Sequence, residues 1–113
     1  MKSYHYTEVP AELMGGLPGV SLRWVIGKNV GAPNFLMRII DVQPDASTEH
    51  HKHPWEHEVF VLEGEGRVRH AEGEATIGPG SCVYVAPNEV HQFTNKGSSV
   101  LRFICVIPRP PEP

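Results

Sequence analysis

Four histidines in two parts of the chain have the types and spacing needed to hold a metal ion. His51, His53 and His57 stand at odd positions of the segment HKHPWEH, and His91 follows much further along the sequence. We predict that residues 51–57 run extended, since alternate residues of a strand point to the same side. Imidazole is a favoured ligand of zinc, copper, iron and nickel. The pattern therefore predicts a metal site of three neighbouring imidazoles that the distant His91 completes.

The same histidines also allow a simpler interpretation, a solvated polar turn, because histidine-rich tracts occur on protein surfaces. A helical HExxH zinc motif is excluded, since His53 is followed by Pro54, and proline breaks a helix interior. The metal site and the surface turn are the two alternatives that the residues themselves leave open.

The elements that must position these rings have the pattern of short β-strands separated by turn residues. The chain contains 11 Gly and 11 Pro, which indicates many turns. Strand-like runs recur at the spacing typical of a β-sandwich or barrel. These runs are Val20–Ile26, Phe35–Val42, Glu58–Leu62, Val68–Ala71, Ala75–Ile77, Cys82–Ala86, Val90–Phe93 and Val100–Ile107. Only Pro10–Met14 resembles the start of a helix, and Gly64 and Gly66 are predicted to form a hairpin turn.

The bulk properties of the chain bound its size and its partners. Its 113 residues favour a single domain over 1–113, with 108–113 as a Pro-rich C-terminal tail. A net charge of -3 leaves no basic footprint for nucleic acid, and no apolar run is long enough to cross a membrane. The first ten residues lack the apolar core of a signal peptide. We therefore expect a cytoplasmic protein with no nucleic-acid or membrane partner.

The two cysteines, Cys82 and Cys105, lie in apolar strand-like runs. We expect both to be buried thiols that pack as small hydrophobic side chains. The chain has no CxxC pair, which excludes a zinc ribbon on spacing.

The two histidine segments resemble the two sequence motifs of the cupin family. HKHPWEHEVFVLEG resembles the first motif, with His51 and His53 as its HxH pair and Gly64 as its closing glycine. GSCVYVAPNEVHQFTN, from Gly80 to Asn95, resembles the second, with His91 as its ligand. The resemblance implies an all-β cupin fold, a jelly-roll-like antiparallel β-barrel in a single domain.

The chain departs from the family motifs at three positions. His57 stands where the family usually has Glu, and Glu58, the next residue, would satisfy a longer spacing. Strand parity groups His57 with Val59 and separates it from Glu58. We therefore favour His57 as the fourth ligand, as in the all-histidine subset of small cupins, with Glu58 as the alternative. Ala86 and Asn88 replace the proline and glycine of the second motif, and we expect the turn to persist because Asn tolerates positive φ.

Strand parity also outlines a pocket beside the metal. The residues that share the bulkier face of the last strand, and are predicted to line the barrel, are Leu101, Phe103, Cys105 and Ile107. Cys105 would stand near the metal, either as a functional thiol or as an inert packed side chain. Arg38 lies within an apolar run and needs a partner, which is either a substrate carboxylate or phenolate or a neighbouring acidic side chain. Trp55 is predicted to lie at the pocket rim.

The resemblance implies one divalent transition metal per chain, with Mn(II) or Fe(II) favoured and Ni, Co, Zn or Cu as alternatives. Four imidazoles leave two adjacent positions open on an octahedral ion, where a substrate and O2 can bind. The leading hypothesis is a dioxygenase-type oxidoreductase acting on a small aromatic or enol-type molecule. An O2-independent isomerase or decarboxylase and a non-catalytic ligand-binding or sensor module stay as alternatives. The resemblance also implies a homodimer.

Overall fold

The structure is a computed structural model that describes residues 1–109. Within these residues a 3-10 turn at Tyr6–Glu8 precedes nine strands. The strands are β1 (Glu12–Leu13), β2 (Val20–Ile26), β3 (Phe35–Val42), β4 (His57–Glu63), β5 (Gly66–His70), β6 (Gly73–Ile77), β7 (Cys82–Val85), β8 (His91–Asn95) and β9 (Leu101–Pro108). The predicted bounds of β2 and β3 match, and those of the other predicted strands differ by a few residues. The all-β prediction is confirmed.

The strands form two antiparallel sheets that enclose one core. The larger sheet has the order β1-β2-β3-β9-β4-β7, and the smaller sheet has the order β6-β5-β8. Burial alternates along β9 in the larger sheet and along β8 in the smaller one, as expected when one face of each sheet is covered. The innermost apolar side chains, all at most 1 % exposed, are Val20, Val42, Val61, Leu101 and Phe103.

Pro10–Met14 was predicted to start a helix, and this prediction is wrong. Glu12 and Leu13 form β1 and pair with β2. Gly15 and Gly16 follow at φ values of 59° and 73°, which turns the chain before a helix could reach the length that makes it stable.

The glycines at 64 and 66 were predicted to form a hairpin turn, but they form a corner between the two sheets. Strand β4 pairs with β7 and β9, whereas β5 pairs with β6 and β8. A Cβ on Gly64 would lie 2.1 Å from the carbonyl oxygen of Val100, and one on Gly66 would lie 2.4 Å from that of Thr94. The glycines are therefore required by close backbone contact with the chain that crosses beneath them.

The predicted C-terminal tail begins inside a strand, because Pro108 ends β9 opposite Phe35. Residues 110–113 of that tail lie outside the described residues. No helix within residues 1–109 is long and apolar enough to span a membrane.

Candidate metal centre

Four imidazole rings gather at one end of the core. Their centroids are separated by 4.4 Å (His51–His53), 4.8 Å (His51–His91), 4.8 Å (His57–His91), 5.4 Å (His53–His57) and 6.2 Å (His53–His91). His57 and His91 are each only 4 % exposed, which excludes the solvated surface turn for these two rings. The structure thus brings together the four histidines that the sequence singled out.

The route by which the rings meet differs from the predicted extended segment. Within residues 51–57, strand pairing occurs only at the two ends. His51 forms an isolated bridge and His57 begins β4, and the chain bends at Pro54 and Trp55 between them. His51 exchanges backbone hydrogen bonds with His91 at 3.2 and 2.9 Å. The cluster is therefore assembled by pairing across the barrel, and the parity of a single strand does not account for it.

The turn that precedes β8 fixes the backbone of His53. Asn88 adopts a φ of 65°, as predicted for the residue that replaces the family's glycine. Its backbone N–H donates to the carbonyl oxygen of His53 at 2.6 Å. Glu89 closes the same turn, because its carboxylate accepts from the backbone N–H of Ala86 at 3.0 Å. A turn of the second histidine motif thereby holds the backbone of His53, which belongs to the first motif.

One of the rings is oriented by a hydrogen bond to a carbonyl oxygen, and a second lies near a carboxylate. His91 Nδ1 lies 2.9 Å from the carbonyl oxygen of Glu89, which can only accept, so Nδ1 carries the proton and Nε2 keeps its lone pair. His51 Nδ1 lies 3.5 Å from the carboxylate of Glu49. Such outer contacts are typical of histidines that ligate metals.

The environment of three rings, those of His53, His57 and His91, favours the neutral form. Burial, together with the nearby His91 and the Arg38 guanidinium, lowers the pKa of His57 to about 3. Burial is also the main reason why the pKa values of His53 and His91 are lowered. A neutral imidazole is the form that binds a metal, so these rings are available as ligands at neutral pH.

The donor set fits a divalent transition metal, although the ligand atoms do not form a closed coordination shell. No group of three or more His, Cys, Asp or Glu side chains within residues 1–109 has the geometry of a finished metal site. The ring separations nevertheless surround a common space, and His57 Nδ1 is buried without a hydrogen-bond partner.

A small cavity of about 30 Å³ opens beside the rings. This volume admits about two water-sized groups. Its walls are formed by the four histidines together with Met14, Arg38, Ile40, Thr48, Phe93, Phe103 and Cys105. None of these lining residues is a carboxylate. Glu58, the alternative fourth ligand, lies on the exposed face of β4, whereas His57 lies on the buried face.

The predicted pocket residues divide into two groups. Arg38, Cys105 and Phe103 line the cavity, but Ile107 and Trp55 do not. Ile107 lies on the same face of β9 but further along the strand, where it packs in the core. Trp55 stacks on the ring of His53, with centroids 4.6 Å apart and an interplanar angle of 6°. Its predicted place at the pocket rim stays a prediction.

Sequence reasoning missed four lining residues, which are Met14, Ile40, Thr48 and Phe93. Strand parity could have identified two of them. Ile40 is two residues from Arg38 and Phe93 is two residues from His91, so each shares a strand face with a predicted site residue. Met14 and Thr48 lie outside the main strands, where periodicity gives no direction.

Arg38 and Cys105 are neighbours across β3 and β9. Arg38 Nη2 donates to Cys105 Sγ at 2.9 Å, and burial raises the pKa of the Cys105 thiol although the guanidinium opposes that shift. Cys82, predicted to be buried, is exposed on β7, and both cysteines are free thiols. The prediction fails for Cys82 because it shares the outward face of β7 with the exposed Tyr84.

Comparison with solved structures places the fold among known proteins. The polyketide cyclase RemF from Streptomyces resistomycificus is 34% identical, with a TM-score of 0.89 over 98% of this chain and 82% of that chain. A sugar phosphate isomerase of the cupin superfamily from Silicibacter pomeroyi is 20% identical, with a TM-score of 0.86 over 97% of this chain and 77% of that chain. A predicted oxalate decarboxylase from Thermotoga maritima is 24% identical, with a TM-score of 0.82 over 95% of this chain and 98% of that chain. The last two likenesses concern the fold alone.

The family assignment rests on sequence as well as on shape. Among functionally curated proteins none matches the chain. The Cupin_2 family, described as a cupin domain, matches residues 38–107, which include all four histidines of the cluster and the corner at Gly64. The chain belongs to the cupin family.

Proposed function

We propose that this protein is a metal-dependent enzyme that uses Lewis-acid chemistry to enolise and cyclise a small polycarbonyl substrate. The observation that carries the proposal is the composition of the cavity wall, which holds four imidazoles and a guanidinium but no carboxylate. The assignment replaces the dioxygenase hypothesis as the leading one and keeps the metal centre that both share.

The four histidines are the proposed ligands of one divalent metal. Neutral imidazoles leave its charge of +2 uncompensated, whereas a carboxylate ligand would reduce it. When bound, the metal supplies Lewis acidity to a carbonyl oxygen of the substrate. The same donor set disfavours the higher oxidation states that redox chemistry requires.

The side chains around the ligands would prepare the reacting end of the substrate. Phe93 and Phe103 stack with centroids 4.6 Å apart, and with Ile40 they form an apolar part of the cavity wall. The cavity, at about 30 Å³, admits only one or two substituents, so the remainder of a larger substrate would lie outside its mouth.

The likeness to RemF supports the substrate class. RemF is a polyketide cyclase, and the two chains are 34% identical over nearly the whole of this one. Polyketide chains carry carbonyl groups on alternate carbons, which chelate a metal and enolise readily. An enolisable β-dicarbonyl unit is therefore the proposed reacting group.

A second candidate is the dioxygenase-type oxidoreductase acting on an aromatic or enol-type molecule with Mn(II) or Fe(II). The specific observation in its favour is the small apolar cavity beside the histidines, which is large enough for O2. It differs from the first candidate in consuming O2 for every turnover.

The deciding experiment measures turnover with and without O2. Protein loaded separately with Zn(II), Mn(II) and Fe(II) is incubated with a panel of linear β-polyketones under strict anaerobiosis and in air, and products are followed by mass spectrometry. We expect products of unchanged or dehydrated mass, formed at equal rates in both atmospheres. Oxygen consumed in step with substrate would establish the second candidate. Tight binding without turnover on the whole panel would establish a non-catalytic binding module.

A further inference from the structure

Arg38 is a buried cation that forms no ion pair with any other side chain of residues 1–109. The residue is 8 % exposed and lines the cavity beside the histidines. None of the ion pairs within residues 1–109 includes it. Its Nε is buried and has no hydrogen-bond partner.

The contacts that Arg38 does make leave its charge uncompensated. Nη2 donates to Cys105 Sγ at 2.9 Å, and the guanidinium carbon lies 5.6 Å from the ring centroid of Trp24. A thiol is a weak acceptor, and an aromatic face offsets only a small part of a buried charge. Taking an ion out of water costs several kcal/mol unless an opposite charge or a full set of hydrogen bonds compensates it.

The rest of the cavity cannot supply the missing charge. Apart from Arg38, its lining holds four imidazoles, one hydroxyl, one thiol and apolar side chains. The hydroxyl of Thr48 accepts from the backbone N–H of Phe93 at 2.9 Å, and as a neutral group it cannot balance the charge of Arg38. Among the described residues that line the cavity none is an anion, so a negative charge can reach Arg38 there from a ligand that fills the cavity.

We propose that Arg38 is the anion-binding residue of this site, and that the substrate binds with a negatively charged oxygen that accepts a hydrogen bond from Arg38 Nε. The inference rests on the proposed function and deepens it, because it restricts the substrate to enolates and carboxylates and disfavours neutral ketones. Charge-assisted hydrogen bonds are the strong ones, and in a cavity this small one oxygen suffices to contact the guanidinium. Arg38 thus selects the charge state of the substrate.

The alternative is a purely structural role, in which Arg38 ties β2 to β9 through Trp24 and Cys105. The two roles predict opposite effects on stability. If the role is structural, replacing Arg38 by Met breaks these contacts and destabilises the fold. If Arg38 awaits an anion, the same change removes an uncompensated charge and leaves the free protein as stable as before or more so.

The test compares acetate with acetamide, which have nearly the same shape and differ in charge. Full-length wild-type protein, Arg38→Met, Arg38→Lys and the surface control Arg67→Met are titrated by NMR, in metal-loaded and in chelator-treated form. The chelator-treated form isolates Arg38 from the metal, to which acetate also binds. We expect the Arg38 Nε–H resonance of the wild type to shift with acetate and not with acetamide. We expect Arg38→Met to weaken acetate binding by about 10- to 100-fold, with partial recovery in Arg38→Lys.

Three results would overturn the inference. They are equal binding of acetate and acetamide by the wild type, unchanged acetate binding in Arg38→Met, and a lower denaturation midpoint of Arg38→Met together with the loss of binding. Arg67 is exposed and paired with Glu74, so Arg67→Met should change neither acetate binding nor its ratio to acetamide. Because binding is read without turnover, acetate selectivity in a protein that cyclises nothing would reject the proposed function and keep the inference. Turnover by the wild type together with undiminished acetate binding in Arg38→Met would keep the proposed function and reject the inference about Arg38.

Discussion

His57 and Glu58 are adjacent in sequence, but they point to opposite faces of β4. The side chain of His57 lies in the cavity wall, whereas that of Glu58 is exposed. A shift of β4 by one residue would exchange its two faces and place Glu58 in the cavity instead of His57. The register of the strand therefore decides which of the two side chains is available as the proposed fourth ligand.

His57→Ala is expected to lower the bound metal by tenfold or more, because it removes one of four ligands. The adjacent variant Glu58→Ala is the matched control and should keep the wild-type content. Elemental analysis of untagged protein, purified without chelators, gives the metal per chain for each. Full occupancy in His57→Ala with loss in Glu58→Ala would move the fourth ligand to Glu58 and reject the all-histidine centre.

At the scale of the element, the corner at Gly64 joins the two sheets that enclose the cavity. Gly64 has a φ of 81°, and a Cβ there would lie 2.1 Å from the carbonyl oxygen of Val100 and 2.9 Å from Leu101 Cα. Both obstacles are backbone atoms, so no side-chain rotation relieves the contact.

Gly64→Ala is expected to lower the free energy of unfolding by about 2 kcal/mol or more, from a strained φ together with overpacking. Gly80→Ala is the control, since Gly80 has a φ of 88° but open space around its Cβ position. It should cost about 1 kcal/mol, from the strained φ alone. Urea denaturation of both variants measures the difference, and equal losses would show that the crossing of the two sheets is not tightly constrained at Gly64.

The sequence predicted the strands well because alternation is a local property. Parity alone placed Phe103 and Cys105 in the cavity wall. Parity failed for Ile107 because it predicts the face on which a side chain lies, but it does not predict how far along the strand the cavity extends. The glycine corner was mistaken for a hairpin because both need a sharp turn, and only the distant partners Val100 and Thr94 distinguish them. The meeting of His51 with His91 likewise depends on pairing between segments that no local pattern joins.

At the scale of the whole molecule, the buried imidazoles make the stability of the metal-free protein depend on pH. Burial lowers the pKa of His57 to about 3, whereas a histidine of the unfolded chain titrates near 6.5. Between these values the unfolded chain binds more protons, so stability is fully present above about pH 6.5 and is lost as the pH falls.

We expect the metal-free protein to lose about 2 kcal/mol of unfolding free energy between pH 6.5 and pH 5 from His57 alone, at about 1.4 kcal/mol per pH unit. The lowered pKa values of His53 and His91 act in the same direction. Denaturant unfolding at several pH values measures this dependence, and His57→Phe, which cannot be protonated, should reduce its slope. A wild-type curve that is flat from pH 7 to pH 5 would contradict the burial of neutral rings.

The histidine cluster also lies between the two sheets of the barrel. His57 begins a strand of the larger sheet and His91 begins a strand of the smaller one, with ring centroids 4.8 Å apart. A cation held by both rings would fasten the two sheets together much as a disulfide fastens two chain segments. Ligands that bind only the native state add about 1.4 kcal/mol of stability for each tenfold rise in their free concentration above Kd. The supply of metal would then set the lifetime of the fold as well as its chemistry.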